Sequence, residues 1–171
     1  INLNYNPNFL NKTFILFILA RMVQGFTEEF VLRGILMNFF AIRKSVIFAI
    51  IANSLIFSLL HIGNDHVNFF AVVNLFLFGL FASLLFYLTD SIRTSAAFHS
   101  FCDVAQGNFF GLSVSGGSLS KTTVFTSKII RKSIFHGGDF GLEAGLASFI
   151  IMIIFVGILV LIARKRKLLV E

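Results

Sequence analysis

Residues 67–88 read VNFFAVVNLFLFGLFASLLFYL and contain no charged side chain. The apolar residues run continuously instead of alternating with polar ones, and about 20 such residues in a helix span the ~30 Å hydrocarbon core of a bilayer. A second run of similar character covers 144–163. Because only helices and closed barrels satisfy their backbone hydrogen bonds in lipid, these continuous runs predict membrane-spanning helices.

The composition extends this prediction to the whole chain. Of its 171 residues, 57% are hydrophobic and 13% are charged. A water-soluble domain has about 25% charged residues, and a chain of this size could not bury so much apolar surface. We therefore predict one all-α domain over 1–171, a polytopic bundle of membrane helices surrounded by the lipid bilayer.

Polar interruptions divide the chain into about five predicted spans. The first helix covers 8–42, which is longer than a bilayer core requires, so we expect tilt or a break near Gln24-Gly25. Ser45 is a predicted N-cap for a second helix that ends at about His61. The remaining predicted helices are 67–88, 94–110 and 144–163. No strand pattern competes with these helices.

The polar segments predict the topology and the partners. Residues 111–141 are rich in Gly, Ser, Thr and Lys, which predicts an extramembrane loop. The net charge of +6 comes partly from basic clusters that follow apolar runs, such as 164–167, so the C-terminus is predicted to be cytoplasmic. These scattered positive charges predict no nucleic-acid partner. The chain begins at Ile1 without a signal sequence, so we expect further helices before it in a longer protein.

Ionisable side chains lie within or beside the apolar runs in three short patterns. In chain order they are Glu28-Glu29-x-x-x-Arg33, Phe57-x-x-x-His61 and His99-x-x-x-Asp103. A charge at bilayer depth costs roughly 2.5–3.5 kcal/mol on insertion scales, so it persists only with a partner or a function. So many ionisable groups in one small chain predict a buried hydrolytic site.

Helical spacing separates the two neighbouring glutamates. Glu29 and Arg33 are four residues apart, so they share a helix face and can form an ion pair. Glu28 is rotated by about 100° from Glu29, which leaves its carboxylate available as a general base for water. The alternative is that all three side chains form a structural ion network.

The histidines favour the same chemistry. His61 alone would be interpreted as an interfacial residue, but His99 and Asp103 form another pair at helical spacing, in which Asp103 could orient His99 and fix its tautomer. Glu28, His61 and His99 could also bind zinc, although the H-E-x-x-H and G-x-S-x-G patterns are absent. A water nucleophile remains, either zinc-bound or metal-free.

The three motifs, in this order on successive helices, resemble the CPBP family. It comprises CAAX prenyl proteases of the Ras-converting type and bacterial bacteriocin-processing or immunity proteins. The agreement includes Glu28-Glu29-Phe30-Val31-Leu32-Arg33-Gly34 and Phe57-Ser58-Leu59-Leu60-His61, with weaker similarity in 111–116 and 140–143. The resemblance covers about 25–115 and implies an intramembrane endopeptidase that cleaves a membrane-associated peptide or protein.

The resemblance also implies a role for each motif residue. Glu28 would activate the attacking water, helped by His61, and Arg33 would hold Glu29. His99 and Asp103 would stabilise the oxyanion or orient the water. The remaining motif residue, Phe57, would pack beside the site. The family often has Asn where this chain has Asp103, and an ionised Asp cannot donate a hydrogen bond to an oxyanion.

Two rival functions and two further residues stay open at this stage. The polar centre could serve a non-proteolytic membrane immunity or interaction protein, or a proton or ion transporter. A composition rich in Phe, Ile and Asn is typical of a low-GC bacterium and favours the bacterial cell membrane. Arg21, on the same face as Glu28, could line the cavity or extend to the interface. Glu143 could complement the dipole of the last helix.

Overall fold

The computed structural model describes residues 1–117, 122–128 and 133–168. Most of this part is helical, which confirms the predicted dominance of α structure. In chain order the elements are strand β1 (Asn2–Tyr5), helices α1 (Lys12–Glu29), α2 (Asn38–Arg43), α3 (Val46–Leu60), α4 (Phe69–Thr89) and α5 (Ile92–Asp103), strand β2 (Phe125–Lys128) and helix α6 (Leu146–Lys165). Within the predicted loop, 118–121 and 129–132 lie outside the described residues.

Two π-helical segments extend the helices that carry the site. Phe30–Met37 joins α1 to α2, and Val104–Phe109 continues α5. A 3-10 turn, Leu142–Ala144, precedes α6. π-helical turns occur frequently at functional sites, and here each one begins directly after a motif residue.

The predicted first helix forms, but its irregularity lies elsewhere than expected. Asn11 caps α1 by accepting a hydrogen bond from the Phe14 amide at 3.0 Å. The helix then stays regular through Gly25, so no break occurs there, and α geometry is lost only from Phe30. Gly25 is needed for packing, because a Cβ at this position would lie 2.6 Å from the hydroxyl oxygen of Ser100 in α5.

The cap of the second helix is also present. The Ser45 hydroxyl accepts a hydrogen bond from the Phe48 amide at 3.2 Å, as its sequence position predicts. Asn68 caps α4 in the same way through the Ala71 amide, at 3.0 Å. The Ser45 cap confirms a prediction from sequence, and the Asn68 cap is an additional one of the same local kind.

A small sheet corrects the purely α-helical prediction. β1 and β2 pair antiparallel, with Asn2 opposite Lys128 and Tyr5 opposite Phe125. Strands of four residues are too short to display a period-two pattern, and β2 lies in a segment whose composition indicates a loop. The sheet attaches the N-terminal segment to the loop that follows α5.

The five-span prediction is not confirmed. In the part of the chain that the structure describes, α4 and α6 are the helices long and apolar enough to cross a membrane, and α3 is a shorter apolar helix. The other two predicted spans include α1, which carries Lys12, Arg21, Glu28 and Glu29, and α5, which is only 12 residues long.

The distribution of polar groups is inverted relative to a water-soluble protein. Helix α6 exposes a series of large apolar side chains, including Ile150, Ile154 and Leu161, whereas Glu29 and Arg33 are fully buried. Outward apolar and inward polar residues are the arrangement that lipid favours. The fold therefore has a polar centre within an apolar exterior.

Close helix packing positions the motifs around this centre. α1 packs on α5, and α4 lies between α3 and α6. A Cβ at Gly79 of α4 would lie 2.9 Å from the Cα of Ser54 in α3, so the two backbones approach closely through small residues. As a result, the three motifs face one another from α1, α3 and α5.

Candidate active site

A buried ion pair forms the base of the site. Glu29 Oε1 and Arg33 Nη1 are 2.8 Å apart, and both side chains are 0% exposed. Arg33 Nη2 also donates to the carbonyl oxygen of Gly79 at 3.1 Å, and its guanidinium carbon lies 5.0 Å from the centroid of the Phe57 ring. The contact predicted from helical spacing is therefore present, and it joins the α1 segment to α4 and α3.

The same glutamate orients His99. His99 Nδ1 is 2.9 Å from Glu29 Oε1, across two packed helices. Because an ionised carboxylate only accepts, Nδ1 carries the proton of this hydrogen bond. Asp103 Oδ2 is 3.9 Å from His99 Nε2, beyond hydrogen-bond distance. The hydrogen bond that fixes the tautomer of His99 is therefore made by Glu29, whereas Asp103 approaches the opposite ring nitrogen without a hydrogen bond.

The opposite edge of His99 faces two carboxylates. His99 Nε2 is 3.8 Å from Glu28 Oε2, and Asp103 lies at a similar distance. Phe78 and Phe57 pack on the imidazole, with ring centroids 5.0 and 5.9 Å away. The aromatic contacts and the Glu29 hydrogen bond together restrict the ring to one orientation.

Glu28 has a different environment from its neighbour Glu29. Its side chain is 27% exposed, and its Oε1 accepts a hydrogen bond from Gln24 Nε2 at 3.0 Å. The rotation of one residue along the helix thus places one carboxylate in the interior and the other at the cavity. Glu28 is the carboxylate of this pair that solvent can reach.

His61 lies at the end of α3 with a defined hydrogen bond. Its Nδ1 is 2.8 Å from the carbonyl oxygen of Phe57. A carbonyl oxygen only accepts, so Nδ1 donates, and the neutral ring keeps Nε2 as an acceptor. The Phe57 ring packs against the imidazole, with centroids 4.7 Å apart.

The four residues predicted to be catalytic line one cavity of about 520 Å³. They are Glu28, His61, His99 and Asp103. Arg21 and Gln24 of α1 line the same cavity, together with residues 114–117 of the loop after α5. The supporting residues lie behind this wall: Glu29 and Phe57 contact His99, and Arg33 contacts Glu29 and Phe57.

Glu143 anchors the loop wall, which the sequence did not reveal. The carboxylate of Glu143 accepts hydrogen bonds from the Ser115 amide at 2.7 Å, the Ser115 hydroxyl at 3.1 Å and Gln106 Nε2 at 3.2 Å. Burial raises the pKa of Glu143 to about 7. The residue lies in the 3-10 turn before α6, so its main contacts are with the loop instead of a helix dipole. The weak family similarity in 111–116 and 140–143 was the available signal, because this contact joins those two segments.

A second cavity of about 400 Å³ adjoins the first. His99, Asp103 and Ser115 line both cavities. The rest of its wall is mainly apolar and includes Phe57, Leu75, Phe78, Phe98, Met152 and Phe155. An apolar group could therefore bind beside His99.

The predicted zinc ligands, Glu28, His61 and His99, share one cavity, and zinc binding by them stays a prediction. Among the described residues, no three His, Cys, Asp or Glu side chains are arranged to hold one metal ion. His61 donates Nδ1–H to the Phe57 carbonyl oxygen, which leaves Nε2 as the ring nitrogen that could hold a metal ion. The chemistry below is derived from the side chains alone.

Comparison with known proteins identifies one family. The family model described as "Type II CAAX prenyl endopeptidase Rce1-like" matches residues 10–105, which include all seven motif residues. No significant match was found among curated proteins or among solved structures. The match covers more than half of the chain and confirms the family resemblance carried by the three motifs.

Proposed function

The chain belongs to the Rce1-like family of type II CAAX prenyl endopeptidases, and we propose that it is an intramembrane endopeptidase in which Glu28 activates water. The observation that carries this proposal is the shared cavity of Glu28, His61 and His99. The fully buried pair of Glu29 and Arg33 directly behind it keeps the site rigid. A preorganised site of this kind stabilises a transition state without rearranging.

The reaction is hydrolysis of a peptide bond. Glu28 accepts a proton from water, and the water oxygen forms a bond to the scissile carbonyl carbon. His61 Nε2 accepts the second hydrogen bond of the water and fixes its direction of attack. The carbon–nitrogen bond then breaks, and the proton held by Glu28 passes to the departing amine.

His99 is assigned to the oxyanion. Its ring is held by Glu29 through Nδ1, so Nε2 faces the cavity and donates to the oxyanion when it is protonated. Asp103 only accepts hydrogen bonds when ionised, so its role is to orient the water or the Nε2 proton of His99. Each role follows from which donor or acceptor reaches the cavity.

The substrate is proposed to be a membrane-associated peptide or protein with an apolar group beside the cleaved bond. The adjoining apolar cavity supports this, because its aromatic wall begins at His99 and could hold a lipid or a large apolar side chain. The family's description as CAAX prenyl endopeptidases is consistent with a lipid-bearing substrate. We further propose a bacterial cell membrane and a cytoplasmic C-terminus, since Arg164 and Lys165 end α6.

The proposal is tested with the purified chain in proteoliposomes and a farnesylated peptide that has a Cys-aliphatic-aliphatic-X terminus. Mass spectrometry of the products reports cleavage. Glu28→Gln keeps the shape of the side chain and is expected to lower the rate by roughly 100-fold or more. Asp90→Asn is the matched control, because Asp90 is an exposed carboxylate outside both cavities and Asn tolerates its left-handed backbone.

Cleavage by Glu28→Gln at the wild-type rate would show that Glu28 does not activate water. If the wild-type chain cleaves nothing but protects cells from a bacteriocin, and Glu28→Gln protects equally, the immunity function is correct instead.

A further inference from the structure

Arg21 is a cation in the active-site cavity that the proposed hydrolysis does not use. It lies in α1, seven residues before Glu28 on the same face, and lines the cavity with Glu28 and Asp103. At 1.5 Å per residue the two Cα atoms are about 10 Å apart along the helix. Arg21 is therefore at a distance from the reacting bond but still within the same cavity.

The guanidinium of Arg21 has no anionic partner in the described part of the chain. Every salt bridge of the site involves Arg33 or His99, and none involves Arg21. Its charge acts on Asp103 only through space. A partly buried guanidinium has five N–H donors, and leaving them unpaired in a carboxylate-lined cavity is costly unless a ligand or solvent satisfies them.

Gly107 fixes the position of this guanidinium. A Cβ at Gly107 would lie 2.7 Å from Cζ, 2.7 Å from Nη2 and 2.8 Å from Nε of Arg21. Because this Cβ position would be nearly equally far from three atoms of the planar guanidinium, the flat face of the guanidinium lies over the glycine. Its edge, which carries the N–H donors, is left free for an acceptor lying in the same plane. Carboxylates fit that edge with two parallel hydrogen bonds.

We propose that Arg21 binds a carboxylate group of the peptide substrate. The inference rests on the proposed peptidase function and adds a specificity-determining residue to it. An extended peptide advances about 3.3 Å per residue, so the bound carboxylate lies two to four residues from the scissile bond. Both a C-terminal carboxylate and the side chain of an acidic residue have the required chemistry.

The test compares pairs of peptides that differ in one carboxylate. The first pair is the farnesylated peptide with a free C-terminal carboxylate and its C-terminal amide. The second pair has Glu or Gln at the residues after the cleaved bond. We expect the wild-type protein to prefer the carboxylate member of one pair. Arg21→Gln should raise the KM for that carboxylate peptide at least tenfold, with little change in kcat. The KM for the matching amide peptide should change little. Arg93→Gln is the matched control, because Arg93 is an exposed arginine outside the catalytic cavity.

A second variant and a binding measurement complete the test. Gly107→Ala would displace the guanidinium and should weaken binding of the same carboxylate peptide as Arg21→Gln does. Arg21→Lys, which keeps a positive charge, should retain part of the preference for the carboxylate. Peptide binding to Glu28→Gln protein, followed by fluorescence anisotropy, needs no turnover, so a carboxylate preference that depends on Arg21 would remain even if the peptidase proposal failed.

Three outcomes would overturn the inference. They are equal binding of both members of each pair, binding of neither member, and an equal loss for both members in Arg21→Gln. The last is what a purely electrostatic effect of Arg21 on Asp103 would produce.

Discussion

Replacement of Glu29 by Gln should cost the protein both stability and activity. The change keeps the size of the side chain but removes the negative charge that Arg33 contacts at 2.8 Å. Because both groups are 0% exposed, the remaining guanidinium has no access to water and no negative charge in contact, although an amide oxygen and the Gly79 carbonyl can still accept from it. Breaking a buried ion pair on one side costs about 3–5 kcal/mol.

The assay is thermal unfolding of the purified chain in one detergent at fixed pH. For a chain of this length, each kcal/mol corresponds to about 2–4 °C, so Tm should fall by about 6–20 °C. Glu28→Gln is the matched control, since Glu28 is 27% exposed and has one hydrogen bond from Gln24. Its loss should be under about 1 kcal/mol.

A double variant separates the two effects. Glu29→Leu with Arg33→Met replaces the pair by apolar side chains and should recover most of the stability, because the unpaired charge is gone. It should not recover activity, since His99 still lacks the acceptor for Nδ1. A Tm for Glu29→Gln within about 2 °C of wild type would refute the reasoning, because it corresponds to a loss of about 1 kcal/mol or less.

Three further predictions concern the surroundings of the site. Asp103→Asn should lower the cleavage rate less than tenfold, whereas His99→Gln should lower it roughly 100-fold or more. The reason is that Glu29, and not Asp103, makes the hydrogen bond that holds the imidazole. Equal losses in the steady-state rates of the two variants would contradict this. The pKa of Glu143, raised by burial from 4.5 to about 7, means that its contribution to stability is fully present below pH 4.5 and is lost as pH rises through 7. Between pH 5 and pH 8, the free energy of unfolding of wild type should therefore fall by up to about 3 kcal/mol more than that of Glu143→Gln. Parallel plots of unfolding free energy against pH for the two proteins would show that Glu143 does not titrate in this range. Gly79→Val should destabilise the fold by about 1–3 kcal/mol, since even a Cβ would lie 2.9 Å from the Cα of Ser54, and an unchanged Tm would show that the two helices can separate without cost.

The sequence was sufficient wherever the determining contact is local. The Ser45 cap and the ion pair of Glu29 with Arg33 depend on residues three or four positions apart, and both are present in the structure. The strands were missed because each has four residues and pairs with a segment more than 100 residues away. The five predicted spans are not confirmed, because α1 carries four charged residues and α5 has only 12 residues, so neither meets the length and composition of a membrane-spanning helix.

The partner of His99 could not be predicted, because it depends on packing between helices. Glu29 and His99 are 70 residues apart, and their contact requires α1 to approach α5 as closely as Gly25 allows against Ser100. From spacing alone, Asp103 was the obvious partner, since it is four residues away on the same helix. A short-range pair proposed from sequence is therefore a weaker prediction when a carboxylate on another helix can reach the same atom.

The two π-helical segments lie directly after the residues that α1 and α5 contribute to the cavity. Each begins directly after a motif residue, at Phe30 after Glu29 and at Val104 after Asp103. A π turn shifts the following side chains relative to an α-helical repeat, so the residues after it face a different direction from the one that spacing predicts. Gly107, which lies in the second segment, covers the face of Arg21 in α1. The second π segment thus leads into the loop that lines the cavity and contacts the guanidinium of Arg21, whereas the regular parts of α1 and α5 supply the cation, the carboxylates and the imidazole.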